Sequence, residues 1–211
     1  MYKTVMVPKN ESLPGRTEEM VVSTKHTVLG STTVPPFPAN METALLGMGC
    51  FWGVEKKFWA QEGVFSTQAG YSGGFTPNPT YKEVCTGQTG HAEVVRIIYD
   101  PSKTSFGALL QVFWENHDPT QGYRQGRSTG TQYRSVIYAL NNQQLNEAET
   151  TRNEYNEALS KEGLGPITTE ILQAGKFYYA EDYHQQYLDK NKDGYCGVGG
   201  TGVLCPRRPI E

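Results

Sequence analysis

The side chains of this sequence best suited to chemistry are four cysteines, Cys50, Cys85, Cys196 and Cys205. Four thiols in 211 residues are too sparse for a secreted disulfide scaffold. In a reducing compartment such thiols are either buried and inert or reactive. Cys50 stands in "GMGCFWG" (47–53), flanked by glycines and followed at once by Phe51 and Trp52. The apolar run 44–49 reads as a strand, and helical spacing takes over at residue 51, with Val54 and Phe58 on one face. Cys50 is therefore expected at a helix N-terminus, where unsatisfied N–H groups and the macrodipole favour negative charge. A lowered pKa and a larger thiolate fraction follow. The bland alternative is a buried cysteine that only fills space. Two large rings in the first helical turn favour a small apolar pocket beside a reactive thiol.

Cys196 and Cys205 lie in "GYCGVGGTGVLCPRRP" (194–209), a glycine-rich tail expected to be mobile. Eight residues separate them, and the glycines permit the close approach a disulfide requires. Zinc ligation lacks support, because no C-x-x-C or histidine spacing accompanies the pair; idle surface thiols remain open. Cys85, in "KEVCTG", reads as a packed structural cysteine. The histidines His26, His91, His117 and His184 share no metal-type spacing. His91 could hydrate or orient a pocket near Glu93, while His117 and His184 read as structural hydrogen-bonders. Taken singly, Glu93 could be the outward residue of an alternating strand, and Tyr81 and Tyr133 could be ordinary packing residues.

These residues need elements to position them. Strands are expected at 44–49, 64–71, 91–100, 132–140 and 167–172. Helices are expected at 51–61, 105–118, 142–163 and 180–190. The clearest is 105–118, where Phe106, Leu109, Leu110, Phe113 and Trp114 follow i, i+3, i+4, i+7, i+8. In 142–163, Leu145, Ala148, Tyr155 and Leu159 should face inward, and Gly163 ends the helix. The order β-α-β-β-α-β, then α-β-α, predicts an α+β two-layer sandwich with a ferredoxin-like split βαβ core. Residues 1–40, rich in Pro, Ser and Thr, read as an extended N-terminal arm, 41–190 as a single catalytic domain, and 191–211 as the tail carrying Cys196 and Cys205.

The formal net charge of −3 and the lack of a basic stripe argue against nucleic acid. No apolar run reaches the roughly 18 residues a membrane span needs. The first residues lack the apolar core of a signal peptide. A cytoplasmic monomer is the expectation.

Several separate stretches resemble the peptide methionine sulfoxide reductase A family: "GCFWGVE", "GYSGGFTPNPTYKEVCTGQTGHAEVVRIIYD", "VFWENHDPTQG", "GTQYRS" and "FYYAEDYHQQYL". The resemblance runs from about residue 41 to 205. It implies reduction of methionine (S)-sulfoxide, free or in proteins, to methionine. It makes Cys50 the nucleophile, Glu93 the acid, and Tyr81 and Tyr133 hydroxyl donors to the departing oxygen. Phe51 and Trp52 would hold the S-methyl group. Cys50 would become a sulfenic acid, resolved by Cys196; Cys205 would then form a Cys196–Cys205 disulfide by exchange. Thioredoxin or another dithiol would be the reductant, with no cofactor and no metal. One departure stands out. The family commonly has Asn-Asp where this chain has Arg127 and Ser128 in "RQGRSTGTQYRS" (124–135), so the Asp's role does not transfer. Two rivals are a cysteine hydrolase with a histidine base, which leaves the aromatic pair and tail cysteines unexplained, and a non-catalytic binder of oxidised-methionine peptides.

Overall fold

The computed structural model describes residues 3–206; residues 1–2 and 207–211, the outer ends of the arm and the tail, lie outside the described residues. Strand β1 (Glu42–Met48) leads through a tight turn into helix α1 (Phe51–Trp59) and strand β2 (Val64–Ser72). A one-turn helix α2 (Tyr81–Val84), strand β3 (Ala92–Tyr99) and helix α3 (Phe106–Glu115) follow. Next come a short hairpin, β4 (Arg124–Gln125) and β5 (Ser128–Thr129), then β6 (Ser135–Ala139), α4 (Asn142–Lys161), β7 (Glu170–Gln173), β8 (Tyr178–Tyr179) and α5 (Tyr187–Lys190). The main sheet runs β7-β6-β1-β3-β2-β8. Every pairing in it is antiparallel except β6 with β7. The result is a mixed α/β fold on a mostly antiparallel sheet.

Strand alternation divides the core. From β1, Ala44, Leu46 and Met48 join the large cluster under the helices, with Val54, Phe58, Phe113, Trp114 and Tyr155. Leu45 points to the opposite face, with Val94, Val136 and Tyr138. This is the period of two that a pleated strand imposes. Helix α3 forms as its spacing predicts: Ser105 caps it by accepting from the Ala108 N–H, and all five expected apolar residues are buried. In α4 the inward face differs slightly. Gln144 and Thr151 are buried with Ala148, Tyr155 and Leu159, whereas Leu145 is half-buried. Gln144 faces inward because its amide donates to the Thr43 carbonyl at 2.8 Å.

The expected helix over 180–190 is broken. That stretch holds a 3-10 turn at Asp182–His184, then Gln186 at φ +49°, and only then α5. A left-handed residue interrupts the i→i−4 ladder, and glutamine gives no sequence warning of it. The arm follows the rim of the domain. Lys3 accepts from the Thr131 N–H, the Leu13 N–H donates to Gln88, and the Arg16 N–H donates to Pro77. The tail has no helix or strand over 191–206. It is anchored where Val198, Val203 and Cys205 pack on the core and the Tyr155 hydroxyl donates to the Val203 carbonyl at 3.1 Å.

Candidate active site

Cys50 is the N-cap of α1, and Gly49 before it takes φ +98°, which lets the chain turn from strand to helix in a single step. A Cβ at Gly49 would also collide with Gln125 of the hairpin. The Trp52 and Gly53 N–H groups of the first turn lower the Cys50 pKa, though the Cys50 side chain makes no cap hydrogen bond. The expected thiolate is nevertheless not what results. Burial pushes the Cys50 thiol up to about 12, with the Glu93 carboxyl adding to the rise and the two N–H groups opposing it. Desolvation of the charged sulfur outweighs the helix terminus.

Glu93 comes from the start of β3 and faces the helices, not solvent; it is 1% exposed. Its Oε2 accepts the Phe51 N–H at 2.9 Å, one residue beyond Cys50. Burial raises its pKa to about 8, with that N–H opposing. A carboxyl so placed carries a proton at neutral pH and can donate it.

Tyr81 opens α2, which is fixed by a capping box between Thr80 and Glu83. Its own N–H donates to Glu181 at 3.0 Å. Tyr133 sits in the 3-10 turn Thr131–Tyr133. Burial is the main cause that raises both phenols above their ordinary value. Both also feel the Glu93 charge, and Tyr133 feels Cys50, so the four groups share one electrostatic neighbourhood. Raised phenols stay neutral donors.

Phe51 is buried, and Trp52 is half-buried at the edge of the core. Trp52 stacks on Tyr187 with centroids 3.9 Å apart and planes 11° apart. Its Nε1–H donates to His184 Nδ1 at 2.9 Å. The His184 ring lies 5.0 Å from Phe51 and 4.5 Å from Tyr81. His184 thus hydrogen-bonds as expected, but it does so inside the aromatic wall. His184 and Tyr187 are the site residues that residue-by-residue reading missed. Their signal was "DYHQQY" within a longer aromatic stretch, with no spacing to tie it to Cys50.

The remaining expectations sort as follows. Cys196 is exposed, and its Sγ lies 3.0 Å from where a Cβ on Gly53 would be, so it rests on the first turn of α1. Cys205 is 5% exposed and held on the core, its N–H donating to Glu115 at 2.9 Å. All four cysteines are in the thiol form. Cys85 is half-buried beside Tyr81, whose side chain donates to it. His91 does not reach the pocket. Its Nδ1 accepts the Gly74 N–H at 2.9 Å and its Nε2 bonds the Thr76 carbonyl at 2.7 Å, so it ties down the 74–76 loop. His117 bridges Phe113 and Ser135, as a structural histidine would. Arg127 is exposed in the hairpin turn and Ser128 is half-buried opposite Gln125. Among the described residues, no group of three or more His, Cys, Asp or Glu is arranged to hold a metal ion.

A cysteine at a helix start, a buried carboxyl and two phenols beside an aromatic wall are the groups expected of a cysteine-dependent enzyme. The model of the peptide methionine sulfoxide reductase family matches residues 42–202. The mitochondrial peptide methionine sulfoxide reductase of Homo sapiens is 59% identical over 201 residues, 95% of this chain and 86% of that protein. The reductase MsrA of Rhodospirillum centenum is 63% identical, over 93% of this chain and 90% of its own. Among solved structures, methionine sulfoxide reductase A of Corynebacterium diphtheriae has a TM-score of 0.83 and 46% identity, covering 95% of this chain and 97% of that one. Reduced Mxr1 from Saccharomyces cerevisiae has a TM-score of 0.71 and 34% identity, covering 85% and 99%. A second Mxr1 structure, in complex with Trx2, shares the fold at a TM-score of 0.52 and 24% identity, covering 74% and 90%. The chain belongs to the peptide methionine sulfoxide reductase family. Its relatives include mitochondrial and bacterial proteins, and no described helix is long and apolar enough to cross a membrane.

Proposed function

We propose that Cys50 reduces methionine (S)-sulfoxide, in proteins and free, to methionine. The carrying observation is that Cys50, Glu93, Tyr81 and Tyr133 converge beside the rings of Phe51 and Trp52. The S-methyl group rests on those rings, which exclude water. Glu93 and the two hydroxyls donate to the sulfoxide oxygen, where charge develops as sulfur is attacked. Glu93 passes its proton to that oxygen, and the thiol proton replaces it. The Cys50 sulfur bonds to the sulfoxide sulfur, and the protonated oxygen then passes to Cys50 as that sulfur–sulfur bond breaks, so thiol plus sulfoxide become sulfenic acid plus methionine.

Cys196 then attacks the Cys50 sulfenic acid, releasing water and forming Cys50–Cys196. Cys205 attacks Cys196, restoring the Cys50 thiol and leaving Cys196–Cys205 for a dithiol such as thioredoxin. Support comes from the position of Cys196 against Gly53 and from the Mxr1 relative, whose structure with Trx2 is known. No cofactor or metal enters these steps. Ser128 in place of the family's Asp leaves Glu93 and both tyrosines to supply the protons. The central order β6-β1-β3-β2 supports a ferredoxin-like split βαβ core within one catalytic domain at 41–190. A monomer in the cytoplasm fits the composition.

Turnover on the two separated methionine sulfoxide epimers, with dithiothreitol as reductant, tests the reading. Methionine should form from the S epimer alone, and Cys50→Ser should form none. Equal turnover of both epimers, or activity in the serine variant, would refute it.

A further inference from the structure

Glu55 takes no part in the steps above, yet its side chain is fully enclosed on α1. Its Oε1 accepts from the Thr67 hydroxyl at 2.9 Å and from the Gln186 amide at 2.8 Å. Its Oε2 accepts the Gln186 backbone N–H at 2.8 Å. Thr67 Oγ1 lies 2.8 Å from His26 Nε2. His26 Nδ1 already accepts from the Val28 and Leu29 N–H groups, so the ring proton is on Nε2 and donates to Thr67. The donors therefore run one way, from His26 through Thr67 to Glu55, and Gln186 closes on the same carboxylate from the other side. The Thr27 N–H donates to Gln186 Oε1 at 3.2 Å.

Gln186 is the residue with φ +49° and ψ 42° that separates the 3-10 turn from α5. Non-glycine residues adopt this conformation only where surrounding contacts hold it. Here the contacts are two hydrogen bonds to Glu55, one from Thr27, and a longer one to the Thr67 carbonyl. On either side of Gln186 stand His184, which accepts from Trp52, and Tyr187, which stacks on it.

We propose that the buried line His26–Thr67–Glu55–Gln186 is a positioning system for the methyl-binding wall: it holds the left-handed turn that keeps His184 and Tyr187 against Trp52. The inference rests on the reading of Phe51 and Trp52 as the methyl pocket. It gives the N-terminal arm a share in substrate binding, through His26 and Thr27, although the arm precedes the residues 42–202 matched by the family model.

The test uses the full chain. Glu55→Gln keeps the volume but turns one acceptor into an amide that faces a donor in either orientation. Thr67→Val removes the hydroxyl and Thr67→Ser keeps it. The burst of methionine without reductant is followed against methyl sulfoxide concentration. Its amplitude scales with the number of working chains, about two methionines each because the relay restores the Cys50 thiol once, and its rate gives half-saturation and maximum. Glu55→Gln and Thr67→Val should raise half-saturation about tenfold, with the maximal rate per site nearly unchanged, because binding of the methyl group is what loosens. Thr67→Ser should behave as the unaltered chain. Lower burst amplitude at unchanged half-saturation would overturn the proposal and leave the line a brace for folding alone. If Glu55→Gln does not fold, the Thr67 pair decides by the same readings. An unaltered chain that produces no burst would instead overturn the methyl-pocket reading itself.

Discussion

The chemistry at Cys50 depends on where protons sit before substrate arrives. Burial pushes the thiol up to about 12, with the Glu93 charge adding to the rise, and burial raises Glu93 to about 8. Both shifts favour the protonated forms, thiol and carboxylic acid, at neutral pH. The sign of the pH dependence follows. Glu93 must be protonated to donate, so kcat/KM should be flat through neutrality and fall as pH rises through about 8. Glu93→Gln should lose roughly 10²–10⁴-fold in rate and lose that alkaline limb as well. A limb surviving in the variant would assign it to another group. Tyr81→Phe and Tyr133→Phe should each cost on the order of 10²-fold, the loss expected when one donor to a developing oxyanion is removed. Rates measured at pH 7 check both, and a Tyr133→Phe enzyme at full rate would exclude that hydroxyl. The position of Cys50 was legible from glycines, apolar run and helical spacing. Its pKa was not, because Glu93 sits 42 residues from Phe51 in sequence and the burial that dominates is a property of the assembled core.

Elements differ in how far their sequence announces them. Helix α3 is legible because five apolar side chains repeat at helical spacing and a serine caps it. Helix α2 is a single turn, too short for any period, and its capping box Thr80–Glu83 is the one local signal it carries. The stretch after Ala180 misleads because its composition suits a helix while Glu55, far away in sequence, draws the Gln186 backbone out of one. Helix α1 carries a further constraint. A Cβ at Gly53 would strike Val198 and crowd the Cys196 sulfur, so the first turn is open on the side where the tail lies. Gly53→Ala should therefore separate the half-reactions. The burst of methionine from Cys50 should persist. Turnover sustained by thioredoxin should fall by roughly tenfold or more, since overpacking of about 1–3 kcal/mol opposes the docked tail. The comparison of burst and steady-state rates on one preparation is decisive, and equal effects on both would remove Cys196 from the docked position inferred for it.

At the scale of the whole molecule, the proposed relay asks two cysteines anchored on different elements to meet. Cys196 rests by α1, but Cys205 is buried at the far end of α3, its N–H on Glu115 and its neighbour Val203 held by Tyr155. A disulfide requires Cα atoms within about 7 Å and Cβ atoms closer still. We expect attack on Cys196 to draw on the glycines at 197, 199, 200 and 202 and to release Cys205 from its bond to Glu115. In the proposed relay, the burial of Cys205 would protect it from oxidation before Cys50 has reacted and would make release of the tail part of recycling. Amide hydrogen exchange reads this directly. In the reduced chain, the Cys205 amide should be protected by its bond to Glu115. After one round with methionine sulfoxide and no reductant, that protection should be lost while α3 and α4 keep theirs, because only contacts of the tail are surrendered. In Cys196→Ser, which cannot form the Cys196–Cys205 bridge, the same treatment should leave the Cys205 amide protected. Protection retained in the oxidised unaltered chain would mean that Cys205 reaches Cys196 without leaving Glu115, and the release step would be wrong.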